Sequence, residues 1–109
     1  MAKTKSHDLG RCYISGPVTG RDIETVRKRF ERVADSLERR GYVVINPLEN
    51  GLPEHAPWKE HMAEDIANLL RCRAVYMLSD WKESHGARLE HAIARRCGLH
   101  VFYEDGNYA

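Results

Sequence analysis

Long apolar runs are missing from this chain, and so is any excess of charge of one sign. No stretch approaches the roughly 18–20 consecutive apolar residues that a helix needs to span a bilayer. Residues 1–8 are polar and basic without an apolar segment, so they do not read as a signal peptide. Cytoplasmic residence without a membrane partner is the expectation. The 17 Lys and Arg stand against 16 Asp and Glu, a formal net charge of +1. That balance supplies no field to hold a polyanion by counterion release, and the aromatics are not interleaved with Lys or Arg, so nucleic acid is not an expected partner. Cysteine is scarce: Cys12, Cys72 and Cys97 are an odd set with no C-x-x-C spacing. They are expected to be reduced and mostly buried. The histidines (His7, His55, His61, His85, His91 and His100) are scattered, with no H-E-x-x-H spacing. No metal and no other cofactor are expected.

What the sequence does contain is alternation. Its 109 residues, 42% of them hydrophobic, suit one domain, which at this size buries roughly two-thirds of the unfolded chain's surface. Residues 1–10 read as a flexible lead-in and residues 11–109 as the domain. Short apolar runs at 12–15, 42–45, 74–78 and 99–103 read as strands, each bounded by turn residues. Between the first two, Ile23, Val26, Phe30, Val33, Ala34 and Leu37 recur at helical spacing up to Gly41. Residues 46–57, with Pro47, Gly51, Pro53 and Pro57, form a loop, and helices are expected over 58–71 and 87–97. Uniformly apolar strands alternating with helices imply an α/β fold with a parallel sheet covered on both faces. The expected architecture is a flavodoxin-like three-layer sandwich with four parallel strands in the order 2-1-3-4. Ligands in such sheets bind beyond the carboxyl ends of the strands.

The loops at that end carry the chemistry. Ser15, Gly16, Pro17 and Gly20 lie between a strand and a helix, where bare amides and the helix dipole attract anions. The segment is neither a Walker A nor a G-x-G-x-x-G sequence, and a tight turn explains its glycines equally well. Ser84, Gly86 and Ala87 open the last helix in the same manner. Glu90 follows in register with Ile93, Ala94 and Cys97, so it projects from the apolar side. It is either a first-turn capping carboxylate or a functional one, and the dipole is expected to lower its pKa. Asp65 shares a seam with Trp58, Met62 and Leu69, where burial raises a carboxyl pKa as a general acid requires. A rotated helix would instead put it on the flank. Asp80, just after the third strand, is a site residue or a turn residue.

Taken together, these segments resemble the nucleoside 2-deoxyribosyltransferase-like superfamily, and within it the short, often phage-associated branch called DUF4406. The matching residues are YISGPVTG at 13–20, GYVVINP at 41–47, W-x3-M-x2-D-I at 58–66, VYMLSDW at 75–81 and S-x-G-A-x-x-E at 84–90. The resemblance covers roughly residues 12–103. It implies Glu90 as the nucleophile that forms a glycosyl-enzyme intermediate and Asp65 as the proton donor to the departing base. It further implies Asp80 as a holder of base or sugar and Tyr13 as the aromatic that steadies the glutamate. Ser84, Gly86 and Ala87 match a 5′-phosphate segment. Ser15, Gly16, Pro17, Asn46 and Trp81 fall in matched segments assigned to the substrate pocket.

Some positions depart from the pattern. Arg73 stands where relatives commonly carry an aspartate, Asp80 lies further from Glu90 than in the classical transferases, and the chain stops shortly after the fourth strand. The short end favours hydrolysis or slow exchange over efficient transfer. The implied activity is cleavage or exchange of the N-glycosidic bond of a (deoxy)nucleoside or nucleoside monophosphate. The alternative is a catalytically silent nucleotide-binding, sensor or interaction module of the same fold. A homo-oligomer is expected, with Trp58 and Trp81 as exposed aromatics for a second copy to cover.

Overall fold

A computed structural model describes residues 9–106. Most of the lead-in, and the last three residues of the expected domain, lie outside the described residues. Strand β1 (Arg11–Ser15) leads through a glycine-bearing loop into helix α1 (Ile23–Arg39) and then strand β2 (Val43–Ile45). After the proline-rich loop come helix α2 (Trp58–Leu70), strand β3 (Ala74–Met77), helix α3 (His85–Arg96) and strand β4 (His100–Tyr103). All pairings are parallel and the strand order is β2-β1-β3-β4. The flavodoxin-like α/β arrangement expected from the alternation is the observed one.

Strand alternation divides the core into two layers. Cys12 and Ile14 of β1 point to one side, where they pack with Ala74, Leu78 and the α1 seam of Val26, Phe30, Val33 and Leu37. Tyr13 points to the other side and packs with Leu69, Val75, Met77, Trp81, Ala87 and Ala94, under α2 and α3. Helix α1 starts where Asp22 accepts from the Thr25 N–H at 3.0 Å. It stops where Gly41 turns to a φ of +110°, which other residues rarely adopt.

Ser84 accepts from the Ala87 N–H at 3.1 Å and caps α3, so this helix begins at His85, two residues before the expected start. Its buried face is Ala87, Glu90, His91 and Ala94; Ile93 is half-buried and Cys97 is exposed, a small rotation from the expected line. Cys12 and Cys72 are the buried thiols. Burial pushes them up to about 12 and about 11 respectively, so both stay protonated. Among the described residues no helix is long and apolar enough to cross a membrane.

Candidate functional site

A cavity of about 430 Å³ opens at the carboxyl ends of the strands. Its walls come from β1 and the loop after it, the start of α1, the loop after β2, and helices α2 and α3. Such a volume suits a ligand of nucleoside size, within the roughly 300–1,000 Å³ usual for small-molecule sites.

Glu90 stands at the cavity wall with only 5% of its surface exposed. The Tyr13 hydroxyl donates to its Oε2 at 2.9 Å and the Ser15 hydroxyl donates to its Oε1 at 2.6 Å. Residues two apart on a strand share a face, so β1 delivers both hydroxyls to the same side, directly under α3. Burial raises the Glu90 carboxyl from its ordinary 4.5 to about 7; the Ser15 and Tyr13 hydrogen bonds oppose that rise and the Asp65 charge adds to it. The expected lowering by the helix dipole is not found. The early start of α3 puts Glu90 in the second turn, where the dipole has faded, and desolvation prevails. Tyr13 is itself pushed far above its ordinary value, first by burial and then by the Glu90 charge, and so remains a donor.

Asp65 lies where the helical register placed it, on the buried seam of α2 between Met62 and Leu69, and it lines the same cavity. Burial raises its pKa, against a lowering hydrogen bond from Asn50 and the nearby His61. The Asn50 amide donates to Asp65 Oδ1 at 2.9 Å. Gly16, Ser84, Gly86 and Ala87 also line the cavity, as expected. Gly16 is there because nothing larger fits: a Cβ would lie 2.6 Å from Leu78 Cδ1. Its absence lets the loop after β1 lie flat on the core.

Five other expected site residues fall elsewhere. Ser15 is fully buried behind Glu90 and serves that carboxylate rather than a ligand. Pro17 is not part of the cavity wall. Asn46 caps a short turn at Pro47–Glu49, accepting from the Leu48 N–H at 3.0 Å, because a residue ahead of Pro-Leu-Glu is used by its own backbone. Trp81 is 9% exposed and stacks on His91 with ring centroids 4.1 Å apart, so it belongs to the core and is not an exposed aromatic. Asp80 is bound to Arg29 at 2.9 Å and Arg21 at 3.2 Å. Burial works against its charge, but the two guanidiniums prevail and hold its pKa low. Asp80 therefore reaches the cavity only through Arg21, which does line it.

Asn50 and His61 are cavity residues that the sequence reading did not single out. His61 precedes Asp65 by one helical turn, a spacing visible in the sequence. Asn50 carries no comparable local signal. Among the described residues no group of three or more His, Cys, Asp or Glu converges as a metal site.

No curated protein matches the chain. A family model described as a domain of unknown function, DUF4406, matches residues 10–103. That span runs from the start of β1 to the end of β4 and includes Tyr13, Ser15, Asp65 and Glu90, so the chain belongs to the DUF4406 family.

Proposed function

We propose that the cavity binds a (deoxy)nucleoside or nucleoside monophosphate and cleaves or exchanges its N-glycosidic bond. One observation carries this reading: two buried carboxyl groups, Glu90 and Asp65, line one nucleoside-sized cavity, and Glu90 is clamped by two hydroxyl donors. A buried carboxyl group is costly unless a function retains it. The resemblance of the surrounding motifs to nucleoside 2-deoxyribosyltransferase-like proteins points to the same chemistry.

In this mechanism an ionised Glu90 oxygen attacks C1′ as the bond from C1′ to the base nitrogen breaks. The bonding pair goes to the base, which takes the proton from Asp65. Water, or a second base, then attacks C1′ and gives its proton to the Asp65 carboxylate, and the ester to Glu90 is released. Tyr13 and Ser15 hold the nucleophile in one rotamer. At a pKa of about 7 a substantial fraction of Glu90 is ionised at neutral pH. Burial raises the Asp65 carboxyl as well, the direction that a proton donor requires. Self-association is part of the proposal, with Trp58, 43% exposed beside the cavity, as the aromatic a second copy would cover; sedimentation at the monomer mass of 12.6 kDa would contradict it.

A second reading is favoured by one detail. Both Glu90 oxygens already accept hydrogen bonds, as they would in a carboxyl group that shapes a binding pocket without turnover. Incubation with nucleosides and nucleoside monophosphates, followed by chromatography for free base, separates the two. Base release that disappears in Glu90→Ala supports the enzyme. Ligand binding without base release supports the binding module, and release at the parent rate in Glu90→Ala rules the covalent mechanism out.

A further inference from the structure

The loop after β2 and the start of α2 are joined by a closed set of hydrogen bonds centred on Asn50. Its Oδ1 accepts from the Leu52 N–H at 3.0 Å, which turns the NH2 end toward α2. One N–H goes to Asp65 Oδ1 at 2.9 Å and the nitrogen lies 3.0 Å from His61 Nδ1. An amide nitrogen only donates, so His61 Nδ1 must accept, and the ring proton must sit on Nε2. That nitrogen lies 3.0 Å from the Pro53 carbonyl, a partner that only accepts. Both N–H groups and the Oδ1 of Asn50 and both ring nitrogens of His61 are then each used once, in one consistent direction.

We infer that His61 is a positioning residue for Asp65: through Asn50, a neutral His61 fixes which carboxyl oxygen carries the acid proton and ties the loop to α2. The inference rests on the proposed role of Asp65 as acid. With Oδ1 occupied by an amide N–H, the proton belongs on Oδ2, so the acid is presented in one orientation. Protonating His61 would set an Nδ1–H against the Asn50 N–H. The amide cannot turn round to relieve this without stripping the Leu52 N–H of its acceptor. The relay therefore exists only with a neutral imidazole. Besides Asp65 and Glu64 on α2, the ionisable groups that share the cavity with it are Glu54, Glu90, Arg21 and Arg27.

Two measurements test this, and the first needs no activity. Long-range proton–nitrogen NMR on the unliganded protein should show His61 as the Nε2–H tautomer near neutral pH. The Asp65 carboxyl carbon should respond at the pH where His61 titrates. A His61 protonated on Nδ1 near neutral pH, or an Asp65 carbon indifferent to His61, overturns the relay. The second compares His61→Asn, which keeps an acceptor near the Nδ1 position and does not titrate, with His61→Leu, which has none. For base release, the Leu variant should lose about tenfold or more in kcat with KM within about threefold. The Asn variant should stay near the parent and keep the acid limb set by Glu90. Equal losses in kcat for the two variants would overturn the inference. Absence of base release in the parent would instead sink the glycosidic reading and leave the NMR result to decide on the relay.

Discussion

The Ser15 hydroxyl donates to Glu90 Oε1 across 2.6 Å, although 75 positions separate the two residues in the chain. Strand β1 ends at Ser15, and the buried face of α3 brings Glu90 down onto it. Removing this donor should raise the Glu90 pKa further above about 7, because the hydrogen bond favours the charged form. In Ser15→Ala, base release at neutral pH should fall by about fivefold, and the acid limb of the pH–rate profile should move up by roughly one unit. An unshifted limb would mean that the hydroxyl does not tune the carboxylate.

Glu90 should also make folding stability depend on pH, with a definite sign. Its folded pKa is raised, so between the ordinary 4.5 and about 7 the folded state holds a proton that the unfolded state has lost. Stability contributed by this group is full at low pH and is lost as pH rises through that window. The loss is on the order of 3 kcal/mol, at roughly 1.4 kcal/mol per pH unit. Denaturation of Glu90→Gln across this range should show a flatter profile and, near neutral pH, a more stable protein. A parent and variant with parallel profiles would refute the raised pKa.

Gly16 should tolerate nothing larger. A Cβ there would lie 2.6 Å from Leu78 Cδ1 and 2.9 Å from Leu78 Cβ, and the latter is not the free end of a flexible chain. Gly16→Ala should cost about 1–3 kcal/mol, as overpacking in a core does, and lower the melting temperature accordingly. It should also weaken nucleoside binding, since the loop it displaces lines the cavity. A melting temperature equal to the parent's would show that Leu78 can yield.

Asp80→Asn should behave unlike any Glu90 variant. Asp80 holds Arg21 and Arg29 from outside the cavity, in partly exposed ion pairs. Such pairs contribute about 1 kcal/mol or less. Base release should remain within about threefold of the parent, because no reacting atom is touched. The affinity for a nucleoside monophosphate should change more than that for the nucleoside, since Arg21, then paired with Glu83 alone, lines the cavity. Loss of turnover comparable to Glu90→Ala would return Asp80 to the catalytic set.

Much of this molecule could be read along the chain. The apolar runs and periodic helices gave the element order, and β3 proved central, as its lack of polar alternation implied. The register of Asp65 with Met62 and Leu69 put it on the buried seam, where it is found. The departures arise where a local signal competes with a distant one. Asn46 and Asp80 both follow strands at the site end of the sheet, but one serves the adjacent turn and the other meets arginines from the loop after β1 and from α1. Trp81 reads as a surface aromatic until its stacking on His91 is known.

The sequence by itself determined the strands, the buried faces of α1 and α2 and the glycine that ends α1, because each follows from side-chain periodicity or backbone freedom within a few residues. It also placed Tyr13 and Ser15 on one face of β1, a consequence of the two-residue repeat of a strand. Only the tertiary structure decided that both hydroxyls meet Glu90, that Glu90 is raised rather than lowered in pKa, and that Asn50 and His61 serve Asp65. Those outcomes depend on how deeply a carboxyl group is withdrawn from water and on which distant donor reaches it. Desolvation and hydrogen bonding act through space, and neither is encoded in the spacing of neighbouring residues.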